Sequence, residues 1–187
     1  MTKRALVAPF NLKIGMVAIL STVLLLGGHV AQAVCNANVA QTRPDNRYEL
    51  IPGSNGAEVR DKVTNLVWLR CVVGMAWSGT TCTGSPMALT WMQATEAVQN
   101  APPSRESGTN QWRLPNHSEL YSLAERACRG PAINSHWFPA TPADGAWSSS
   151  INAGYSELAW NVDFDGGYAY DGYKNQAFRL RLVRTAD

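Results

Sequence analysis

Four cysteines constrain the fold of this chain more than any other feature of its sequence. They stand at positions 35, 71, 82 and 128, and an even number in an exported protein is typical of disulfide bonds. Sequence alone allows three pairings. Cys71 and Cys82 enclose a short loop that contains Gly, Ser and Thr, so we predict that they pair and that Cys35 pairs with Cys128. A zinc site is the alternative, and the absence of a Cys-x-x-Cys pair argues against it.

The first 33 residues indicate that the chain is exported. Three basic residues precede an apolar run at 14–26, and a small-x-small triplet follows at 31–33, which is the pattern of a secretory signal peptide at 1–33. The apolar run is shorter than the roughly 20 residues that a membrane-spanning helix needs. A retained membrane anchor is the alternative. A lipoprotein is disfavoured because the residues before Cys35 lack the Leu and the small final residue of a lipobox.

Removal of the signal peptide would leave a single domain at 34–187. Its 154 residues (187 − 33) are enough to form a hydrophobic core. The signal peptide contains three of the 16 basic residues and none of the 14 acidic ones, so the rest of the chain has a net charge of −1 (13 − 14). The sequence has no basic tail of the kind that would indicate nucleic acid as a partner. We therefore expect an exported protein that does not bind nucleic acid and does not insert into a membrane after cleavage.

The hydrophobic pattern predicts an α+β fold with a mixed or antiparallel sheet, two helices and long loops. Strands are predicted at 47–51, 57–60, 66–69, 146–150, 158–164, around Tyr168 and at 178–184. The N-terminal and C-terminal strands are expected to meet in one sheet. In the last strand, Phe178, Leu180 and Leu182 are expected to point inward and the arginines outward.

Capping residues mark the starts of the two predicted helices. Thr90 is the expected N-cap of a helix at 91–99, and Asn116 with Glu119 has the pattern of a capping box. Residues 130–145 are predicted to form a loop because they contain three prolines. The second helix has an apolar face at helical spacing, formed by Leu120, Leu123, Ala124 and Ala127.

Nine short segments carry a family resemblance when they are taken in order. They are VRDKVTNLVWLRC, GTTCTG, LTWMQA, WRLPNHSEL, PAIN, FPATP, WSSS, AWNVDFDGG and RLRLVR. Together they resemble the Lcl C-terminal domain family, a bacterial family of largely unknown function named for the end of a collagen-like adhesin. The resemblance covers residues 35–184. It implies an exported α+β domain with a C-type-lectin-like fold, either secreted, periplasmic or at the cell surface of a bacterium.

The resemblance also implies, for the adhesin, binding of sulfated polysaccharide and host surfaces. This chain has no Gly-x-y collagen repeats, so we do not expect it to share the trimerisation of the adhesin or the avidity that trimerisation provides. In the implied fold, Trp112 and Leu114 would be core residues, and Arg113 would form an ion pair or bind backbone carbonyls. Three further tryptophans in strand-like stretches are also expected in the core: Trp68, Trp147 and Trp160.

The sequence predicts no catalytic residues. Two histidines stand outside the signal peptide, His117 at the start of the second helix and His136 in the proline-rich loop. Both are expected to be capping or surface residues. Ser118 beside His117 does not make a catalytic triad by adjacency, because the groups must meet in space with an orienting acid. Residues 148–150 lack the Gly-x-Ser-x-Gly elbow of hydrolases. We therefore expect no enzyme and no cofactor.

Calcium is a weaker alternative that concerns two aspartates. Asp163 and Asp165 carry oxygen ligands of the kind that Ca²⁺ prefers, and in a strand they would point the same way as Asn161. However, Asp165 followed by two glycines is also an ordinary turn signature. The EF-hand spacing and the Glu-Pro-Asn motif of calcium-dependent lectins are absent. We predict no metal site, and Asp163 and Asp165 are the candidates if calcium binds.

The best candidate for a ligand-binding surface lies between residues 152 and 176, where Tyr, Asn and Gly are concentrated. Tyrosine gives a large contact area at a small entropy cost, and its ring face can stack on a sugar ring. The alternative is a tyrosine-rich hairpin whose side chains only pair across strands. The candidate ligand-binding residues are Asn152, Tyr155, Asn161, Asp163, Tyr168, Tyr170, Tyr173 and Asn175.

These observations predict an exported binding or adhesion module that recognises a glycan or a host or surface protein through the hairpin region. Sulfated polysaccharide is the glycan that the family resemblance implies. The alternative is a structural or assembly subunit of a cell-envelope complex or appendage, without enzymatic activity.

Overall fold

The structure is a computed structural model and describes residues 33–101 and 112–186. The predicted signal peptide therefore lies outside the described residues, except for Ala33. No helix in these two ranges is long and apolar enough to cross a membrane. The helices are α1 Trp91–Ala97 and α2 His117–Tyr121, with 3₁₀ turns at Asp45–Arg47 and Val98–Asn100. The strands are β1 Val34–Cys35, β2 Tyr48–Leu50, β3 Glu58–Asp61, β4 Leu66–Leu69, β5 Met75–Trp77, β6 Cys82–Gly84, β7 Cys128–Arg129, β8 Gly145–Ile151, β9 Leu158–Asp163, β10 Tyr168–Tyr173 and β11 Val183–Thr185.

Two antiparallel sheets organise the fold. A four-stranded sheet has the order β11-β4-β3-β2, so the last strand pairs with early strands, as predicted. A three-stranded sheet has the order β10-β9-β8. The pairs β1–β7 and β5–β6 form two smaller sheets. The structure thus confirms an α+β fold that consists mostly of strands, with two short helices and two disulfides.

The segment 178–182 joins the two larger sheets. Arg179 exchanges backbone hydrogen bonds with β8 (2.8 and 3.0 Å), whereas the carbonyls of Leu180 and Leu182 accept from the N–H groups of the 69–73 segment (2.8 and 3.2 Å). Because these partners lie in different sheets, the segment does not form a continuous ladder with either. The regular strand β11 is therefore shorter than the strand predicted at 178–184.

The expectation that the arginines of this segment point outward is wrong for Arg181 and Arg184, which are 1% and 0% exposed. Arg181 donates to two backbone carbonyls (2.9 and 3.1 Å) and to Thr141 Oγ1 (2.8 Å). Burial lowers the pKa of Arg181 to about 9, which still leaves it charged at neutral pH. Arg184 forms an ion pair with Glu58. Both guanidinium groups are enclosed because their partners come from distant parts of the chain, the 69–70 carbonyls and Thr141 for Arg181 and Glu58 of β3 for Arg184.

Two hydrophobic clusters occupy opposite faces of the four-stranded sheet. Trp68 belongs to the first cluster, whereas its strand neighbour Val67 belongs to the second. Trp160 departs from the predicted core set, because it is only half-buried. Phe178 is also half-buried. The other predicted core residues are buried as expected: Trp68, Trp112, Leu114, Trp147, Leu180 and Leu182.

Helix α1 begins as predicted, with Thr90 and Gln93 in a capping box. It ends at Ala97 and is followed by a 3₁₀ turn, so the α-helical part is shorter than the predicted 91–99. Trp91 anchors the helix, since its indole N–H donates to the Ser148 carbonyl (2.9 Å).

Helix α2 also begins at its predicted capping box. Asn116 Oδ1 accepts from the Glu119 N–H (2.9 Å), and the Glu119 carboxylate accepts from the Asn116 N–H (2.7 Å). The helix ends at Tyr121, before the end of the apolar pattern, because the N–H groups of Leu123 and Ala124 donate to carbonyls three residues back (3.1 and 3.0 Å) instead of continuing the α-helical pattern. The residues of the predicted apolar face are nevertheless buried: Leu120, Leu123, Ala124 and Ala127.

Both predicted disulfides are present. Cys35–Cys128 joins β1 to β7, and Cys71–Cys82 ties the segment after β4 to the first residue of β6 in the β5–β6 hairpin, which the sequence pattern did not reveal. All four cysteines are thereby used, so none is available as a zinc thiolate.

Candidate ligand-binding site

The β9–β10 hairpin, which contains most of the predicted ligand-binding residues, is held firmly in place. A turn at 164–167 joins the strands, and the Gly167 N–H donates to the Asp163 carbonyl (2.9 Å). Gly167 has a φ of +74°, which favours glycine. Phe164 is buried in the first cluster, and the Gly130 N–H donates to the Asp165 carbonyl (2.9 Å). In the described sheets β10 pairs with β9 alone, so it is an edge strand.

The tyrosines of β10 do not form one surface. Tyr168 lies opposite Asp163 and Tyr170 lies opposite Asn161, whereas Tyr173 lies opposite Leu158. Since side chains alternate between the two faces of a strand, Tyr168 and Tyr170 point to one face and Tyr173 to the other. The candidate residues on β10 are therefore divided between two faces of the hairpin. We call the face with Tyr168, Tyr170 and Asp163 the tyrosine face and the face with Trp160, Asp171 and Tyr173 the tryptophan face.

The tyrosine face combines exposed phenol rings with carboxylates. Tyr168 is 68% exposed and Tyr170 is 42% exposed. Partial burial raises the pKa of Tyr170, and the negative charges of Asp163 and Asp144 raise it further. Asp144 also forms an ion pair with Arg179 (3.0 Å). This face therefore presents aromatic surface beside hydrogen-bond acceptors.

Asn161 does not belong to the exposed part of this face. It is 0% exposed, and neither its Oδ1 nor its Nδ2 has a hydrogen-bond partner among the residues the structure describes. The ring of Phe178 crosses in front of it, next to Gly145 and Gly172 on the neighbouring strands. A methyl group at Gly145 would lie 2.7 Å from Phe178 Cδ1, and one at Gly172 would lie 3.0 Å from Phe178 Cε2. The two glycines thus make room for the ring that covers the Asn161 amide, so this candidate residue is enclosed in the structure and not part of the exposed surface.

The tryptophan face has a different set of groups. Trp160 lies directly opposite Asp171 across the strand pair. The His117 ring lies 4.8 Å from the Trp160 ring, and the Tyr121 ring stacks on His117 with centroids 6.1 Å apart. Helix α2 reaches this face because β8 has an irregular register after Trp147, which lets the Ser150 hydroxyl accept from the His117 N–H (3.0 Å).

Asn152 is engaged within the protein. Its Nδ2 donates to Asp171 Oδ2, and its Oδ1 accepts from the N–H groups of Gly154 (2.8 Å) and Tyr155 (3.2 Å). It therefore bridges the β8–β9 turn to β10 and orients the Asp171 carboxylate. The predicted residues Tyr155 and Asn175 lie exposed in the turns on either side.

The calcium candidates do not share a strand. Strand β9 ends at Asp163, and Asp165 stands in the turn, where its N–H donates to Asp163 Oδ1 (2.9 Å). The assumption that both carboxylates point the same way in a strand is therefore wrong. In residues 33–101 and 112–186, no three His, Cys, Asp or Glu side chains form a group that could hold a metal ion.

The histidines and Arg113 make local contacts. His117 contacts the aromatic rings described above, and its Nε2 is buried without a hydrogen-bond partner in the described ranges. The His136 N–H donates to Asn134 Oδ1 (3.0 Å). Arg113 donates to both carboxylate oxygens of Glu119 (2.7 Å each) and to the Leu114 carbonyl (3.2 Å), as expected of it.

The sequence of the hairpin and of the loop before it is one-sided in charge, a signal that sequence reasoning missed, although Asp144 is paired with Arg179. Residues 130–173 contain no Lys or Arg. They contain five carboxylates: Asp144, Glu157, Asp163, Asp165 and Asp171. The nearest basic side chain that follows, Lys174, donates to the Ser156 carbonyl (2.6 Å).

Fold and site together define a disulfide-bonded α+β domain with an aromatic, acidic hairpin at its edge. A family model for the Lcl C-terminal domain matches residues 57–184. This match covers more than half of the chain, and the chain belongs to the Lcl C-terminal domain family. It begins after β2, so residues 35–56, which the sequence resemblance included, lie outside it. A search of curated proteins found no match.

Proposed function

We propose that this chain is a non-catalytic, exported binding module that recognises a glycan or a surface protein through its β9–β10 hairpin. The observation that supports this most is the tyrosine face, where Tyr168 and Tyr170 are exposed beside Asp163 on a hairpin fixed at both ends. Because these rings are exposed, a partner can cover them without disturbing the packing of the domain core. Each ring also offers a large contact area. Because the hairpin is already ordered, binding would not require a large further loss of chain entropy.

The charge of the hairpin favours a neutral or amine-bearing partner. Five carboxylates and no basic residue occupy 130–173, and a sulfated polysaccharide would be repelled by this field. We therefore propose a neutral glycan as the first choice and a neutral or basic protein surface as the second. This departs from the sulfated ligand that the resemblance to the adhesin implies.

The location and the fold type belong to the same proposal. Two disulfides are compatible with an oxidising compartment, and we propose that the chain is secreted, periplasmic or at the cell surface of a bacterium. The pairing of N-terminal and C-terminal strands in one sheet, the long loops and the two disulfides support a C-type-lectin-like fold.

The test is binding to an array of neutral and sulfated glycans and surface proteins, with wild type compared with a Tyr168→Ala/Tyr170→Ala variant. We expect wild type to bind a neutral glycan or a protein, and the variant to lose that binding. Leu50→Ala removes an exposed apolar side chain from β2 and is the matched control. Unchanged binding by a folded tyrosine variant would refute the assignment to this face.

An assembly subunit is the second candidate, supported by the free edge of β10. An edge strand presents unpaired backbone groups to which a strand from another subunit can add. Ala169→Pro would remove a backbone N–H from this edge strand. Assembly that is lost in this variant but kept in the tyrosine variant would favour the structural role.

A further inference from the structure

The indole of Trp160 differs from those of the other described tryptophans. Four of them donate their Nε1–H to a backbone carbonyl at 2.8–3.1 Å: Trp77, Trp91, Trp137 and Trp147. Two others, Trp68 and Trp112, are buried in the clusters. Trp160 is half-buried, and its indole N–H has no hydrogen-bond partner among the described residues. A large apolar ring with an available donor therefore lies at the surface of the tryptophan face.

Asp171 supplies an oriented acceptor next to this ring. Directly opposed residues in an antiparallel pair have Cβ atoms about 4.5–5.5 Å apart, and Asp171 is directly opposite Trp160. Asn152 Nδ2 donates a hydrogen bond to Asp171 Oδ2, whereas Asp171 Oδ1 has no hydrogen-bond partner in the described part of the chain. The carboxylate is thus fixed by one oxygen and available through the other. A hydrogen bond to an ionised acceptor of this kind is stronger than a neutral one.

The ring itself is held in place. His117 lies against it with centroids 4.8 Å apart, and the Tyr121 ring in turn stacks on His117 with centroids 6.1 Å apart. Tyr173, which is 59% exposed, continues the aromatic surface on the same face of β10. The arrangement is a fixed aromatic plane bordered by one donor and one acceptor.

We propose that Trp160 and Asp171 form a subsite for a neutral pyranose sugar. A pyranose has an apolar C–H face that fits against an indole ring and a rim of hydroxyls that both donate and accept. One hydroxyl would donate to Asp171 Oδ1 and another would accept from the Trp160 indole N–H. The carboxylate disfavours sulfated sugars and uronic acids by like-charge repulsion. Asn152 is a positioning residue, because it acts through Asp171. This subsite rests on the proposed function, because both assign sugar recognition to the hairpin. It lies, however, on the face opposite Tyr168 and Tyr170.

The test uses methyl glycosides of glucose, galactose, mannose and N-acetylglucosamine, titrated in the millimolar range against ¹⁵N-labelled protein. The readout is the NMR signal of each tryptophan indole N–H. We expect at least one glycoside to shift the Trp160 signal saturably and to leave the buried Trp147 signal unchanged. Asp171→Asn should weaken this binding by about tenfold, since one charge-assisted hydrogen bond is replaced by a neutral one.

Two controls separate this subsite from the rest of the proposal. Tyr168→Ala/Tyr170→Ala should leave the Trp160 shift intact, even where it abolishes binding on the array. Asn152→Ala should weaken binding less than Asp171→Ala does, because it removes only the orientation of the carboxylate. The inference is overturned if no glycoside shifts the Trp160 signal, or if Asp171→Asn binds as tightly as wild type. A tyrosine variant that binds nothing on the array but keeps the Trp160 shift would confirm both assignments separately.

Discussion

Arg184 on β11 and Glu58 on β3 form a buried ion pair, with Nη2 and Oε2 3.2 Å apart. Both side chains are almost completely enclosed, and the Arg184 guanidinium also lies over the Trp112 ring at 5.5 Å. The pair connects the end of the chain to an early strand on either side of β4. A buried ion pair therefore links the two strands that flank β4.

Removing one member of this pair should be costly. Glu58→Ala removes the Glu58 carboxylate from the buried Arg184 guanidinium, and breaking a buried pair in this way typically costs about 3–5 kcal/mol of unfolding free energy. Glu49→Ala is the matched control, because Glu49 faces Arg60 at 3.7 Å with a side chain that is 47% exposed, and surface pairs contribute about 0–1 kcal/mol. Urea unfolding of both variants measures the difference. Equal stability of the two would contradict a structural role for the buried pair.

The two disulfides should contribute unequally to stability. Cys35 and Cys128 are 93 residues apart in sequence, whereas Cys71 and Cys82 are 11 apart. In the entropic model, loops of these lengths correspond to about 4.6 and about 2.8 kcal/mol. Cys35→Ser/Cys128→Ser should therefore lower the thermal midpoint more than Cys71→Ser/Cys82→Ser. Non-reducing peptide mapping of wild type checks the pairing, and a peptide that links Cys35 to Cys71 or Cys82 would overturn it.

Glu125 should make the domain sensitive to acid. Its carboxylate accepts from the N–H groups of Thr42 (3.0 Å), Arg43 and Ala127 (2.8 Å). Burial alone would raise the pKa of Glu125, but these hydrogen bonds outweigh burial and hold the pKa below its ordinary value of 4.5. The folded state therefore binds fewer protons than the unfolded state. The stability that Glu125 contributes is present above about pH 4.5 and is lost as the pH falls through the folded-state pKa.

The corresponding experiment compares thermal midpoints from neutral pH to about pH 3. Glu125→Gln should be less stable than wild type at neutral pH and should lose less stability on acidification. Glu96→Gln removes an exposed carboxylate from α1 and serves as the control. A Glu125→Gln variant whose midpoint falls with pH as steeply as that of wild type would exclude this residue as a source of acid sensitivity.

Local chemistry explains which parts of the fold could be predicted from the sequence. The capping residues Thr90 and Asn116 define helix starts through hydrogen bonds within three residues of themselves. The placement of the β10 tyrosines on two faces could also have been predicted. Side chains alternate along a strand, so Tyr168 and Tyr170 lie on one face and Tyr173 lies on the other. The burial of Arg181 depends on the distant Thr141 and on the carbonyls of Leu69 and Arg70, which are also far away in sequence. No local pattern contains that information.

The candidate site was predicted less well than the fold for the same reason. Trp160 has the spacing of a core residue in a strand, but it is only half-buried, and the ring that lies against it is that of His117, which is distant in sequence. The burial of Asn161 requires Phe178 to cross two glycines on different strands. Composition located the hairpin, but only the register of the sheet assigned each side chain to a face.

The buried amide of Asn161 leads to the last prediction. Neither polar atom of its side chain has a hydrogen-bond partner in the described part of the protein, and an unsatisfied buried polar group costs about 1–3 kcal/mol. Leucine has a similar size, so Asn161→Leu should raise the unfolding free energy by about 1 kcal/mol or more. Gly145→Ala should do the opposite, because its Cβ would lie 2.7 Å from Phe178 Cδ1. Chemical denaturation of the two variants gives the signs. The prediction fails if Asn161→Leu is less stable than wild type while Gly145→Ala is destabilised as expected. That result would show that the Asn161 amide has a hydrogen-bond partner, such as a bound water.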